Sequence, residues 1–181
     1  MPSNLAHEYE FIRSATLNKQ RFDANDSVLP SNPSKIMRYW NELRGKSFAP
    51  KWEDFEIVQL PPLLIPWSAV VDVVGPPDEF VYRYWGTARV RYHGEDFTGK
   101  AIIGTQDTSI TDVLIDEYNF VVEQHIPLYV KTECEFLGEK LFFEFLRLPL
   151  SSDGTTVNKV YSVGFSGEGP EGEFMTYDSL Q

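Results

Sequence analysis

The sequence predicts an α+β domain: a five-stranded antiparallel sheet with flanking helices and an N-terminal helical extension. Three observations carry that prediction. Residues 79–99, EFVYRYWGTARVRYHGEDFTG, read as an aromatic-rich strand that turns at a glycine into a short helical segment and stops at a second glycine. Residues 109–125, SITDVLIDEYNFVVEQH, repeat apolar side chains at helical spacing. After Pro127, three strand-like runs follow one another across short turns.

Taken in order, residues 1–30 are polar and mixed, and form an N-terminal arm in which Phe11, Ile12 and Leu17 suggest a short helix or a partly docked segment. Residues 33–44, PSKIMRYWNELR, follow Ser31 and Asn32 and precede Gly45, which are helix-boundary signals. Ile36, Met37, Trp40 and Leu43 then share one apolar face. That face needs a cover, either the core of the same domain or a second subunit. WEDFEIVQ at 52–59 can form another short helix, and Pro61 and Pro62 force extended backbone after it. LLIPWSAVVDVV at 63–74 is the first strand, with Pro66 unsuited to a strand interior. GPPDE at 75–79 turns the chain into FVYRYW at 80–85, so the two strands form an antiparallel hairpin.

In the long helix, Ile110, Val113, Leu114, Tyr118, Val121 and Val122 line one face, and Pro127 blocks its continuation. LYVKTECEF at 128–136 alternates like a half-buried strand. LGEK turns it into LFFEFLRLPL at 141–150, apolar on both faces and therefore covered on both. The helix at 33–44 is the natural cover for the second face. SSDG at 151–154 turns again, and TTVNKVYSVGF at 155–165 closes the sheet with Val157, Tyr161, Val163 and Phe165 aligned. SGEGPEGEFMTYDSLQ at 166–181 is an acidic, Gly-rich tail.

Composition narrows the function classes. A chain of 181 residues with 42% apolar residues, 13 Phe, 9 Tyr and 4 Trp can build one aromatic-heavy core. Its 27 acidic and 16 basic side chains give a net charge of −11, which argues against a nucleic-acid backbone and an anionic membrane surface as partners. The single cysteine, Cys134, excludes an internal disulfide and reads as a buried thiol. The N-terminus lacks the basic start and apolar core of a secretory signal, so cytoplasmic residence is expected.

YWNELRGKSFAPKWEDF, FVYRYWGT, YHGEDFTGK and LRLPLSSDGTTVNKV, in that order and spacing, resemble the PAS-like domain family of alphaproteobacteria, formerly a domain of unknown function. The resemblance covers most of residues 33–165 and implies a PAS-like domain over 31–165. It implies that FVYRYWGT is the second sheet strand running into the first inner helix and that RYHGEDFTGK leads to the small helices beside a PAS cavity. Such domains bind small molecules or dimerise to relay signals. The family supplies no ligand or catalytic residue to carry over, so the cofactor is unknown.

Arg83 lies mid-strand among aromatics, where a charge must be paired, reach the surface or anchor an acidic ligand. Tyr82 and Tyr84 should point opposite to Arg83, as core edges or as polar points in a cavity. With Trp85, Tyr92 and His93 they make the candidate ligand-binding set. His93, between Arg91 and Glu95, reads as a solvated or capping histidine, and His125 ends the long helix where the dipole favours a charged imidazole. Haem ligation at either and a metal site are disfavoured, since no second ligand has suitable spacing. Asp112 and Asp116 form a solvated face, with Asp107 and Ser109 before them, and Asp153-Gly154 is a turn. Ile36, Met37, Trp40 and Leu43 are the candidate interface.

The expected function is a stand-alone sensory or protein-interaction module without enzymatic activity, acting through self-association or a signalling protein, with a small molecule as a further partner. A small-molecule carrier with an aromatic cavity is the alternative. An enzyme has the least support, because no Ser/His/Asp or Cys/His arrangement stands out among three histidines.

Overall fold

The computed structural model describes residues 16–25, 29, 31–75, 79–105, 108–136 and 139–166, with the backbone alone for 16–19, 108–109, 133–136, 139–142 and 166. The expectations for Phe11, Ile12, Asp107, the Cys134 side chain and the tail at 167–181 lie outside the described residues. The elements are β1 (Thr16–Asp23), α1 (Ser31–Arg44), three single 3-10 turns, β2 (Ser68–Gly75), β3 (Glu79–Trp85), α2 (Thr87–His93), α3 (Thr108–Gln124), β4 (Leu128–Phe136), β5 (Glu139–Leu150) and β6 (Lys159–Ser166).

The sheet has six strands in the order β1-β4-β5-β6-β2-β3, every neighbouring pair antiparallel. The last strand thus lies beside the first strand of the β2–β3 hairpin and closes the middle of the sheet. The expected five strands become six because β1 pairs with β4 from Thr16↔Glu135 to Asp23↔Leu128. TLNKQRFD has no apolar alternation and reads as an arm. Its place is set by backbone bonds to the otherwise open edge of β4.

Apolar side chains cover both faces of the sheet. On one face Ile36, Met37 and Trp40 of α1 join Leu146, Leu148, Leu150, Tyr161, Val163 and Phe165 in one buried cluster. Trp40 also donates from Nε1 to the Pro149 carbonyl at 2.9 Å. Residues 52–59 form two 3-10 turns, Trp52–Asp54 and Ile57–Gln59, in place of a short helix. On the other face α3 sets Tyr118 and Val121 against Val71, Val130 and Val160. The alternation of β5 explains its two apolar faces: even-numbered leucines meet α1, while Phe145 and Arg147 turn toward α3.

Two smaller expectations shift. The start of the first strand is a 3-10 turn, Ile65–Trp67, that contains Pro66, so the strand begins at Ser68. Val157 belongs to the α3-side cluster, away from Tyr161, Val163 and Phe165. The reason is that the turn at 151–158 delays the strand to Lys159. Asp153 holds that turn by accepting from the Thr155 and Thr156 N–H groups, both at 2.8 Å, and from the Thr156 hydroxyl at 2.6 Å. These donors keep its carboxyl well below the usual carboxylate range.

Candidate functional site

The candidate site lies on the α2–α3 side of the sheet. Its geometry begins with a β-bulge. Val70 pairs with Tyr84 and Val71 with Tyr82, which leaves Arg83 as an extra residue in β3. The extra residue reverses the alternation. Tyr82 and Trp85 fall into the α3-side cluster, and Tyr84 packs toward the α1-side cluster. The expectation that Tyr82 and Tyr84 share a face is therefore corrected, because strict period-2 alternation does not survive one inserted residue.

Gly86 turns the chain from β3 into α2. Its N–H donates to the Ser68 carbonyl at 2.9 Å, and a Cβ there would stand 2.1 Å from the Pro66 carbonyl oxygen. Only hydrogen fits. Gly94 closes α2 in the left-handed conformation, at φ 76°, and donates to the Val90 carbonyl at 2.8 Å. The following passage is laced to the free edge of β3: Tyr82 N–H donates to Lys100 O at 2.9 Å and Ile102 N–H to Phe80 O at 2.9 Å. This lacing covers the edge and brings Phe97 inward.

Four rings meet there. Trp85 lies 4.6 Å from Tyr82, 5.0 Å from Phe97 and 5.1 Å from His93, centroid to centroid. Tyr92 touches His93 from the half-buried rim at 5.1 Å. His93 is only 8% exposed, so the reading of a solvated histidine is corrected: α2 turns it into the aromatic cluster. Burial, and then the charge of Arg89, lower its pKa to about 3, so the imidazole is neutral at pH 7.

Arg89 sits four residues before His93, on the same side of α2. Its Nε donates to the Trp67 carbonyl at 2.7 Å, and its guanidinium carbon lies 4.9 Å from the Trp85 ring centroid. The residue is half-buried, but Nη2 is closed from solvent. Deeper, Arg147 of β5 and Glu117 of α3 form an ion pair at 2.5 Å, with side chains 3% and 1% exposed. Arg147 also donates to the Ser162 hydroxyl at 2.6 Å and lies over the Tyr118 ring at 4.8 Å. Burial alone would depress the Arg147 pKa; the Glu117 carboxylate outweighs it, and the net shift is upward. For Arg89, burial lowers the pKa, with Tyr118 and Tyr82 opposing it and the charge of Arg147 adding to it.

The structure therefore brings together Tyr82, Trp85 and His93 of the expected ligand set, with Tyr92 at their rim. It separates two others. Arg83 is exposed and donates to Asp72 at 2.7 Å, so it anchors nothing in the interior. Lys159 shares that carboxylate at 3.0 Å. Burial would raise the Asp72 pKa, but the bonds from Arg83 and Lys159 prevail and lower it. Tyr84 donates to the Ile65 carbonyl at 3.1 Å on the opposite face. Ile36, Met37 and Trp40, expected as an interface, are buried in this chain's own core, and Leu43 is half-buried beside them. Their apolar face is covered by the sheet. Asp112 and Asp116 are exposed on α3, and Asp116 is paired with Arg21 of β1. His125 stacks on Phe48 at 4.6 Å.

Sequence reasoning missed Arg89, Arg147 and Glu117. Each left a trace. Glu117 occupies the apolar face of α3 between Leu114 and Val121, and Arg147 interrupts an apolar strand. A charge in such a position must find a partner. Among the described residues no group of three or more His, Cys, Asp or Glu side chains could hold a metal ion. No described helix is long and apolar enough to cross a membrane.

No family model matches this chain, and no curated protein matches it. Among solved structures it is similar to a chain described as the structure of an RNA-binding Light-Oxygen-Voltage receptor, at 11% identity and a TM-score of 0.42. The alignment covers 83% of this chain and 39% of that one, so the chain spans well under half of that receptor's length. So weak a likeness transfers no partner and no activity. The architecture itself is α+β, an antiparallel sheet flanked by helices.

Proposed function

We propose that this protein is a PAS-like sensory or interaction module, distantly related to the alphaproteobacterial domains its motifs resemble, whose input is a small molecule held between the sheet and α2. The observation that supports it is the joining of Tyr82, Trp85, His93 and Phe97, with the half-buried Arg89 guanidinium against the Trp85 ring. An aromatic wall with a few fixed polar groups is the usual make-up of a small-molecule site. No step of covalent chemistry is assigned to it.

In this reading the ligand acts by ordering α2 and the passage laced to β3. The output is contact with a protein partner, a second copy or a signalling protein. That contact uses surfaces other than Ile36, Met37 and Trp40, which hold the core together.

Native mass spectrometry of protein purified without added ligand tests the reading. A bound small species that leaves on mild acid denaturation supports it. A single mass equal to the bare chain, from several expression hosts, counts against it.

A further inference from the structure

Two N–H donors are enclosed in the aromatic interior without a hydrogen-bond acceptor: Trp85 Nε1 and Arg89 Nη2. They share one wall, because the Arg89 guanidinium carbon lies 4.9 Å from the Trp85 ring centroid. The bond from Arg89 Nε to the Trp67 carbonyl at 2.7 Å fixes the guanidinium. Gly164 of β6 lies before it: a Cβ there would be 3.9 Å from Nη2 and 3.1 Å from the Phe145 ring. A glycine at this point leaves room for the Phe145 ring and places the β6 backbone close to the guanidinium.

Charge points the same way. Among the described charged side chains on this face, half-buried Arg89 and buried Arg147 are cationic and buried Glu117 is anionic, and Glu117 is bound by Arg147 through both Nε at 2.7 Å and Nη2 at 2.5 Å. One positive charge is left without a carboxylate. Arg89 is half-buried, with Nε held by the Trp67 carbonyl and only Nη2 closed from solvent; an anion with a fixed acceptor would satisfy Nη2 and offset the charge at once. Water supplies an acceptor but no charge. A neutral apolar ligand supplies neither.

We propose that this interior binds a small organic carboxylate, which accepts hydrogen bonds from Arg89 Nη2 and Trp85 Nε1 and lays its apolar part against Phe97. The inference rests on the reading of this interior as a ligand site, and names the class of its ligand. His93 beside it is neutral, so it adds polarity without competing for the negative charge.

The test titrates the full chain with benzoate and with benzamide, its neutral counterpart of the same shape, by calorimetry, with tryptophan fluorescence in parallel. Wild type is expected to bind benzoate at least tenfold more tightly than benzamide, and R89M to lose at least tenfold in benzoate affinity. R89K, which keeps a charge without the fork, is expected to fall between them. Circular dichroism establishes that R89M is folded; if it is not, the benzoate–benzamide contrast in wild type and R89K decides. Equal binding of the two probes, or undiminished benzoate binding by folded R89M, overturns the carboxylate assignment and leaves a ligand site standing. Absence of benzoate binding also overturns it. Absence of both benzoate binding and any co-purified species overturns the ligand-site reading as well.

Discussion

Arg147 Nη2 lies 2.5 Å from a Glu117 carboxylate oxygen, and the two side chains are 3% and 1% exposed. The pair joins the middle of the sheet to α3 beneath the candidate site. Its members depend on each other, because removal of one leaves the other charged in an apolar interior. E117A is therefore expected to lose about 3–5 kcal/mol of stability, and the double variant E117L/R147M to recover most of that loss. Urea unfolding of the single and double variants measures the coupling. Losses that simply add would contradict it.

His93 supplies a pH signature. Its pKa of about 3 in the folded chain lies below the ordinary 6.5, through burial first and the neighbouring Arg89 charge second. Between those values the unfolded chain holds a proton that the folded chain lacks. The contribution of His93 is thus complete above pH 6.5 and declines as pH falls toward 3. Its share of the slope is at most about 1.4 kcal/mol per pH unit. H93Q should flatten the stability–pH curve in that interval and leave it unchanged above pH 7. A slope identical to wild type would mean that His93 is accessible.

Gly86 is a packing requirement. Its missing Cβ would stand 2.1 Å from the Pro66 carbonyl oxygen and 2.8 Å from the Ser68 carbonyl oxygen. G86A should cost about 3 kcal/mol, at the upper end of overpacking effects, while T87A, at the exposed next residue, stays within about 0.5 kcal/mol. Thermal melts of the two proteins compare them directly.

Trp40 distinguishes a core helix from an interface helix. It is 1% exposed within the chain and bonded to the Pro149 carbonyl. W40A should cost about 3–5 kcal/mol, against about 1 kcal/mol for L43A at the half-buried edge. Sedimentation should give the same mass for W40A as for wild type. A stable W40A protein with a reduced mass would return this face to an interface role.

The sequence made some of this visible for physical reasons. Ile36, Met37 and Trp40 recur at helical spacing because one face of α1 is buried, and β5 is apolar on both faces because helices cover both. Strand β1 left no such pattern, since TLNKQRFD is positioned through backbone pairing. The bulge at Arg83 also left no trace: one extra residue changes no composition, yet it separates Tyr82 from Tyr84. Arg83 pairs at the surface with Asp72, whereas Arg89, six residues on, reaches the aromatic cluster. The spacing of Arg89 and His93 on a helix beginning after Gly86 was readable as one inward face.

The most direct test of the account is a high-resolution crystal structure of the protein purified without added ligand. Density that is neither protein nor a lone water is expected beside Arg89 Nη2 and Trp85 Nε1, between α2 and the Gly164 segment of β6. An interior filled by side chains, with both donors bonded to protein acceptors, would contradict it.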